Sequence, residues 1–261
     1  MDNVNKTMYI PLYGKALVSG KGILLADKKA EEIWAAVQFP LKKKSKSKWL
    51  AYYMAMRAVA FDDWLKGQLA TAEEAIVLHL GCGLDSRVLR VGTVSCPFYD
   101  VDFPAVIEEK RKYFEETDTY RMLAADIKDA AFLEGLPTAK KAIVVMEGIS
   151  MYLSKEERAT LLGALTARFE KVALLVDCYS PFSAKMSKIK NPIKDVGVTD
   201  VYGVKGPQAL AEGTGLTFVK EHDITPKNLI EQLEKKEQKL FKWLYAGKMA
   251  RSLYRLYEYE K

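Results

Sequence analysis

The chemistry of this chain is concentrated where an apolar run, Ala75 to Leu80, breaks into Gly81-Cys-Gly-Leu-Asp-Ser-Arg87. Gly81 and Gly83 leave room for a sharp turn and for backbone to lie against a ligand. Position 86 is Ser86, so the dinucleotide pattern G-x-G-x-x-G is incomplete, and Asp85 and Arg87 place charges of both signs in the turn. Such a turn suits a ligand that carries an amine and a carboxylate, and S-adenosylmethionine (SAM) is one. Asp102 follows Gly81 by 21 positions, the place where a nucleotide-binding βαβ unit accepts hydrogen bonds from ribose hydroxyls. Strand alternation puts Asp100 on the same side, so either acid could serve. Asp126 and Glu147 follow two further apolar runs, so that Asp102, Asp126 and Glu147 would share the carboxyl rim of a parallel sheet, where open α/β folds bind ligands.

Arg57 stands on the wide apolar surface of the segment from Trp49 to Leu69. An arginine there either reaches water or meets a carboxylate, with Asp62 and Asp63 the neighbours in sequence. The chain has two histidines: His79 lies inside the first apolar run and His222 after a later one, and neither is placed as a general base. Cys82, Cys96 and Cys178 show no metal-ligand spacing and no C-x-x-C pair, which predicts free, non-catalytic thiols, a reducing compartment and no bound metal. Tyr9, Tyr13, Tyr53, Tyr152, Tyr179 and Phe182 are candidate walls of an acceptor pocket, with ordinary packing between cap and core as the alternative for each.

These residues need elements to hold them. At 261 residues and 49% hydrophobic content the chain can bury one sizeable core with a small cap. Lys6 to Gly22 reads as an irregular arm with short helical pieces. Asp27 caps a helix that ends near Phe39-Pro40, and Trp49 to Leu69 is strongly helical. Phe98 to Val101, Arg121 to Asp126, Ala142 to Met146, Val172 to Val176 and Leu216 to Glu221 read as strands, with a last strand in the 252–259 tail. Pro104 and the capping box Ser154-Lys-Glu-Glu157 open helices, and Gly206 to Gly213 suggests another. Leu229 to Met249 reads as one long helix with a charged outer face. Lys42 to Lys48 carries five of the net +6 charges, so no broad basic face for nucleic acid is implied. The run is expected to be a solvated connection, or else a lid or strip for an anionic substrate. No apolar run approaches the roughly 18 residues of a membrane span, and neither a signal region nor a membrane partner is expected, which points to the cytoplasm.

Gly81-Cys-Gly-Leu-Asp-Ser-Arg87, Tyr99-Asp-Val-Asp-Phe-Pro104 and Met146-Glu-Gly-Ile-Ser-Met-Tyr-Leu153 together resemble the leucine carboxyl methyltransferase family. That family includes enzymes that methylate the C-terminal carboxylate of protein phosphatases and a bacterial branch of polyketide O-methyltransferases. Asp85-Ser-Arg is near the Asp-Thr-Arg of the bacterial branch, whereas Asp100 and Ile127 stand where the family more often has Glu and Leu. The resemblance implies an α/β, Rossmann-like class I SAM-dependent methyltransferase, with a seven-stranded, mostly parallel sheet and an N-terminal helical cap. Residues 1–72 would form the arm and cap, and 73–261 the SAM-binding core of one integrated domain. It implies that Arg57 grips the SAM carboxylate and that Gly81 admits the methionyl part. Asp102 would hold the ribose, Asp126 with the Ile127 backbone would read the adenine, and Glu147 would face the amine. Gly83, Asp85 and Phe103 complete the candidate cofactor set. No residue acts as a catalyst beyond positioning, and S-adenosylhomocysteine leaves. The acceptor is expected to be a small molecule or peptide C-terminus bearing a carboxylate or acidic hydroxyl, drawn in by a lysine of the 42–48 run or by Lys185. A nicotinamide-dependent oxidoreductase and a non-catalytic SAM-binding protein are the alternatives.

Overall fold

The run Ala75–Leu80 forms β1, every residue of it buried. It lacks the alternation of a half-exposed strand because it lies inside a parallel sheet covered on both faces. The structure, a computed structural model, describes residues 5–37, 39–92, 96–187 and 201–261. Among these, β2 (Phe98–Asp102), β3 (Tyr120–Ala124), β4 (Lys141–Met146), β5 (Lys171–Tyr179), β6 (Thr217–His222) and β7 (Tyr254–Glu260) join β1 in one seven-stranded sheet. Its order is β3-β2-β1-β4-β5-β7-β6, and β7 alone runs antiparallel to its neighbours. This is the mostly parallel sheet the sequence predicts. Val77 packs into the cluster on one face while Ile76, Leu78 and Leu80 pack into the cluster on the other.

Three helices precede the sheet: α1 (Tyr9–Gly20), α2 (Lys28–Val37) and α3 (Lys48–Leu69). They cover the first face, with Leu12, Ile33, Phe61 and Leu65 in its core. After β1 comes α4 (Arg87–Arg90), after β2 α5 (Pro104–Lys110) and after β4 α6 (Lys155–Arg168), whose Leu161, Leu162 and Leu165 cover the opposite face. Beyond β5 lie α7 (Pro181–Ser187), α8 (Pro207–Ala211), α9 (Lys227–Ile230), α10 (Lys235–Phe241) and α11 (Lys248–Leu253). Asp27 caps α2, its Oδ1 accepting the Ala30 amide at 2.9 Å, and the capping box of Ser154 and Glu157 is complete.

Two elements differ from the sequence reading. The arm is a 3-10 turn followed by the twelve-residue α1. Pro11 sits in the first turn, where its missing N–H has no partner to lose. Gly14 is a contact rather than a breaker, since a Cβ there would stand 3.2 Å from Ala51 Cα of α3. The long helix over 229–249 is instead interrupted: α9, α10, a π-helical turn at Lys242–Ala246 and α11 follow one another. Gln238 donates to the Glu231 and Leu233 carbonyls at the first break, and extended backbone at Gly247 makes the last.

Buried ion pairs tie α1 to α3 to the strand-end loops. Lys15 meets Asp85 at 2.9 Å, Asp27 meets Arg90 at 2.7 Å, and Asp62 binds Arg87 at 2.7 Å and Arg90 at 2.6 Å. Removing one partner of such a set strands the others in low dielectric, so Asp62→Ala should lower unfolding free energy by about 3–5 kcal/mol. Asp63→Ala, an exposed neighbour, should change it by less than about 0.5 kcal/mol. Denaturant unfolding of the two variants checks this, and equal effects would contradict it.

Candidate cofactor and acceptor site

The carboxyl ends of β1, β2, β4 and β5 open onto a cavity of about 710 Å3 roofed by α1 and α3. At the β1 end Gly81 has φ +68°, and a Cβ there would stand 2.2 Å from Ile149 Cγ2. Gly83, at φ +52°, donates its amide to Asp102 Oδ2 at 2.8 Å, and Phe103 donates to Oδ1 at 2.8 Å. Asp102 is therefore fixed by backbone while still facing the cavity. Burial lifts its carboxyl to about 6 against the pull of those two amides. Asp100 has a different place: His79 at 2.8 Å, Lys110 at 2.8 Å and the Tyr120 hydroxyl at 2.6 Å enclose it in the core. Of the two acids on that side of β2, Asp102 is the one left for a ligand. β3 stops at Ala124, so Asp126 stands in the following loop, exposed at the cavity, with Oδ1 accepting the Lys128 amide at 3.0 Å and Ile127 beside it.

Arg57 crosses from α3 to these strand ends. Its Nε donates to Glu147 Oε1 at 2.9 Å, and its Nη1 donates to the Tyr254 hydroxyl at 2.8 Å and lies 3.2 Å from Asp177 Oδ2. Neither Asp62 nor Asp63 is its partner, because Asp62 is taken by Arg87 and Arg90. Nη2 lies against Gly148, 3.2 Å from where a Cβ would be, and makes no hydrogen bond to a described residue. Arg57 borders the cavity, and Nη2 is the guanidinium nitrogen left for a ligand there. Arg87 holds the other oxygen of Glu147. Burial would raise Glu147, but Arg87 and then Arg57 outweigh it and hold the carboxyl at about 2. Asp177 ends nearer its burial-driven value, at about 6, although Arg57, the Tyr254 hydroxyl and the Gly148 amide all favour its ionised form. Asp85 also borders the cavity, with its oxygens on Lys15 and Arg90.

The rest of the lining is apolar and aromatic. Tyr53, Tyr152, Tyr179 and Phe182 border the cavity. Tyr9 and Tyr13 do not: Tyr9 stacks on Phe39 at 4.1 Å and Tyr13 meets Trp34 edge-on at 5.1 Å. They stand four apart on the face of α1 turned to α2, while Met8, Pro11 and Lys15 occupy the cavity face. Burial pushes the Tyr53, Tyr152 and Tyr254 hydroxyls up, so they are donors at neutral pH. None of Lys42 to Lys48 borders the cavity, and neither does Lys185. His222 is outside it, bonded to Glu258 at 2.6 Å. Cys178 is buried beside Ser150, its thiol pushed up to about 12 by burial. Sequence reasoning gave no role to Asp177 or Tyr254. The first was visible as an acid at a strand end; the second depends on β7 inserting beside β5, for which no local signal exists.

Comparison with known proteins bears on this geometry. Residues 7–166 match the model of the leucine carboxyl methyltransferase family. The chain is 27% identical over 250 residues to the tetracenomycin polyketide synthesis O-methyltransferase of Streptomyces glaucescens, covering 95% of this chain and 91% of that one. Among solved structures, a methyltransferase structure from Thermobifida fusca superposes with a TM-score of 0.59 at 14% identity, covering 97% and 94% of the two chains. Magnesium protoporphyrin IX methyltransferase of Synechocystis with bound S-adenosylhomocysteine gives 0.52 at 11% identity, covering 90% and 93%. These two likenesses concern the fold.

The glycine turn supplies a direct check on the local geometry. Gly81→Ala should destabilise the protein by about 1–3 kcal/mol through its positive φ and the overlap with Ile149. Gly20→Ala, at the end of α1 with no atom within 4 Å of the added carbon, should be neutral or stabilising by up to about 1 kcal/mol. Thermal and denaturant unfolding read both, and a neutral Gly81→Ala would contradict the turn geometry.

Proposed function

The chain belongs to the leucine carboxyl methyltransferase family and is a SAM-dependent methyltransferase, and on that premise we propose that it transfers the methyl group to an acidic oxygen of a small, largely apolar acceptor. The observation that carries this reading is the division of the cavity. Its charged groups gather at the strand ends, where Asp85, Asp102, Asp126, Lys128 and Glu147 stand and to which Arg57 and Lys15 reach from the helices above, whereas the remaining wall offers apolar surface and un-ionised tyrosine hydroxyls. Residues 1–72 then act as the cap and 73–261 as the cofactor-binding core of one integrated domain.

In this reading Nη2 of Arg57, the nitrogen not spent on Glu147, Tyr254 or Asp177, donates a charge-assisted hydrogen bond to the SAM carboxylate. Glu147, with Asp177 behind it, supplies the negative field for the amine. Gly81 and Gly83 let backbone approach the methionyl and ribose parts. Asp102 accepts from the ribose hydroxyls, Phe103 packs beside it, and Asp126 with the Ile127 amide reads the adenine edge. Asp85 braces the turn through Lys15 and Arg90. The acceptor oxygen attacks the methyl carbon in line with the sulfur; the carbon–sulfur bond breaks, and its electron pair leaves on S-adenosylhomocysteine. Alignment of these three atoms can supply on the order of 7–11 kcal/mol of barrier reduction.

A protonated aliphatic alcohol would call for a positioned base. His79 is enclosed by Asp100 and Arg87, His222 is remote, and Tyr53, Tyr152 and Tyr254 are held in the protonated form. A carboxylate, acidic phenol or enol arrives ionised, and the protonated Tyr53 and Tyr152 hydroxyls on the cavity wall then stabilise it. The apolar lining favours a compact, polyketide-like molecule over a peptide C-terminus, in keeping with the Streptomyces relative, named a polyketide synthesis O-methyltransferase.

Methyl transfer from labelled SAM to a panel of aromatic carboxylic acids, acidic phenols and aliphatic alcohols tests the proposal. Turnover should follow the acceptor's own ionisation and be unchanged in His222→Ala. An unactivated alcohol as best acceptor, with activity lost in His222→Ala, would contradict it. The Asp102 carboxyl at about 6 adds a second expectation. Ribose hydroxyls bind its ionised form, so SAM affinity should level off about one pH unit above that value and weaken as pH falls through it, by at most tenfold per pH unit. Calorimetry of Asp102→Asn should show lower affinity and a smaller decline over the same range; an identical decline would remove Asp102 from the site.

A further inference from the structure

The segment from α10 to α11 is both cavity wall and protein surface. Leu244, Tyr245, Ala250 and Leu253 border the cavity, whereas Trp243 and Met249 are each 77% exposed and Leu240 is 42% exposed. Phe182 and Met186 of α7 border the cavity and are exposed as well, so the apolar lining reaches the outer surface. Between Lys227 and Arg251 the chain carries seven basic and three acidic residues. Each acid is taken: Glu231 by Lys227, Glu234 by Lys236 and Glu237 by Lys48. Lys235, Lys239, Lys242 and Lys248 are exposed and pair with no described residue. The Lys48–Glu237 pair, at 2.7 Å, also anchors the Lys42 to Lys48 run next to α10, where Lys43, Lys44 and Lys46 are exposed.

We propose that this segment is a docking surface for an anionic lipid bilayer, with Trp243, Met249 and Leu240 entering the interface and the surrounding lysines lying on the headgroups. Protruding tryptophan and aliphatic side chains interleaved along the chain with unpaired lysines are the composition that holds a helical segment in the plane of an anionic membrane. A fluid interface receives side chains that stand out from the surface, with no socket needed. The purpose served rests on the acceptor reading above: an apolar acceptor would pass from the bilayer into the cavity beside Leu244 and Phe182 without crossing water. This surface departs from the expectation of no membrane partner, which concerned spans; no helix among the described residues is long and apolar enough to cross a membrane.

Flotation of the full chain with phosphatidylglycerol-containing vesicles, with pure phosphatidylcholine vesicles as comparison, tests the docking. Wild-type protein should float with the anionic vesicles at low salt and be released by high salt. The Trp243→Ala/Met249→Ala double variant, and separately Lys239→Glu/Lys242→Glu/Lys248→Glu, should each lose at least about tenfold in partitioning while SAM affinity stays within about twofold. Failure of wild-type protein to float, or flotation of either variant at the wild-type level, would overturn the proposal. So would a solution dimer that the double variant dissociates without any vesicle binding, or binding to an acidic protein without binding to vesicles. If vesicles bind but the best acceptor proves polar and water-soluble, the acceptor reading fails and the docking stands.

Discussion

One buried cation organises the site. Arg57 leaves a helix of the cap and is gripped by Glu147, Asp177 and the Tyr254 hydroxyl, which belong to the ends of β4 and β5 and the start of β7. A guanidinium out of water is tolerated only with such partners, and burying the set contributes little net stability. Its effect is to fix one donor edge against the cavity at Gly148, where a side chain on the glycine would intrude. Pre-orientation of this kind is where a planar, forked donor gains over a flexible ammonium.

The same electrostatics spread outward. Glu147 is shared with Arg87, which is bound to Asp62 on the helix that carries Arg57. Asp62 also holds Arg90, and Arg90 holds Asp85 and Asp27. Glu147 and Asp85, which border the cavity, are thus positioned by a chain of buried pairs running back into the cap, so the cap's place over the sheet and this part of the cavity's charge pattern are one structural fact. Burial lifts both Asp102 and Asp177 to about 6 against the donors that hold them. Asp102 borders the cavity, where a ligand's hydroxyl groups would add donors to its ionised form.

What the sequence made legible is what local chain geometry decides. The glycine turn, Asp102 after β2, Asp126 beyond β3 and Glu147 after β4 follow from apolar runs ending in acids, and the strand order places those ends on one rim. Tertiary placement was less readable. Tyr9 and Tyr13 looked like pocket walls, but the helical period turns both to Phe39 and Trp34. The arm over 6–22 read as irregular, although Pro11 occupies the first turn of α1 and Gly14 a contact with α3. The 229–249 periodicity concealed breaks that Gln238 and Gly247 stabilise. Tyr254 reaches the site only because β7 enters between β5 and β6, a non-local pairing with no signature of its own.

The central claim, that Nη2 of Arg57 binds the cofactor carboxylate, is tested most directly by calorimetry of SAM and its decarboxylated analogue on the wild-type protein and Arg57→Lys. Removing the carboxylate should weaken binding to wild-type protein at least about tenfold, the worth of one charge-assisted hydrogen bond, and matter much less in the variant. Equal losses in the two proteins would show that the carboxylate and Arg57 do not interact, and would contradict the account.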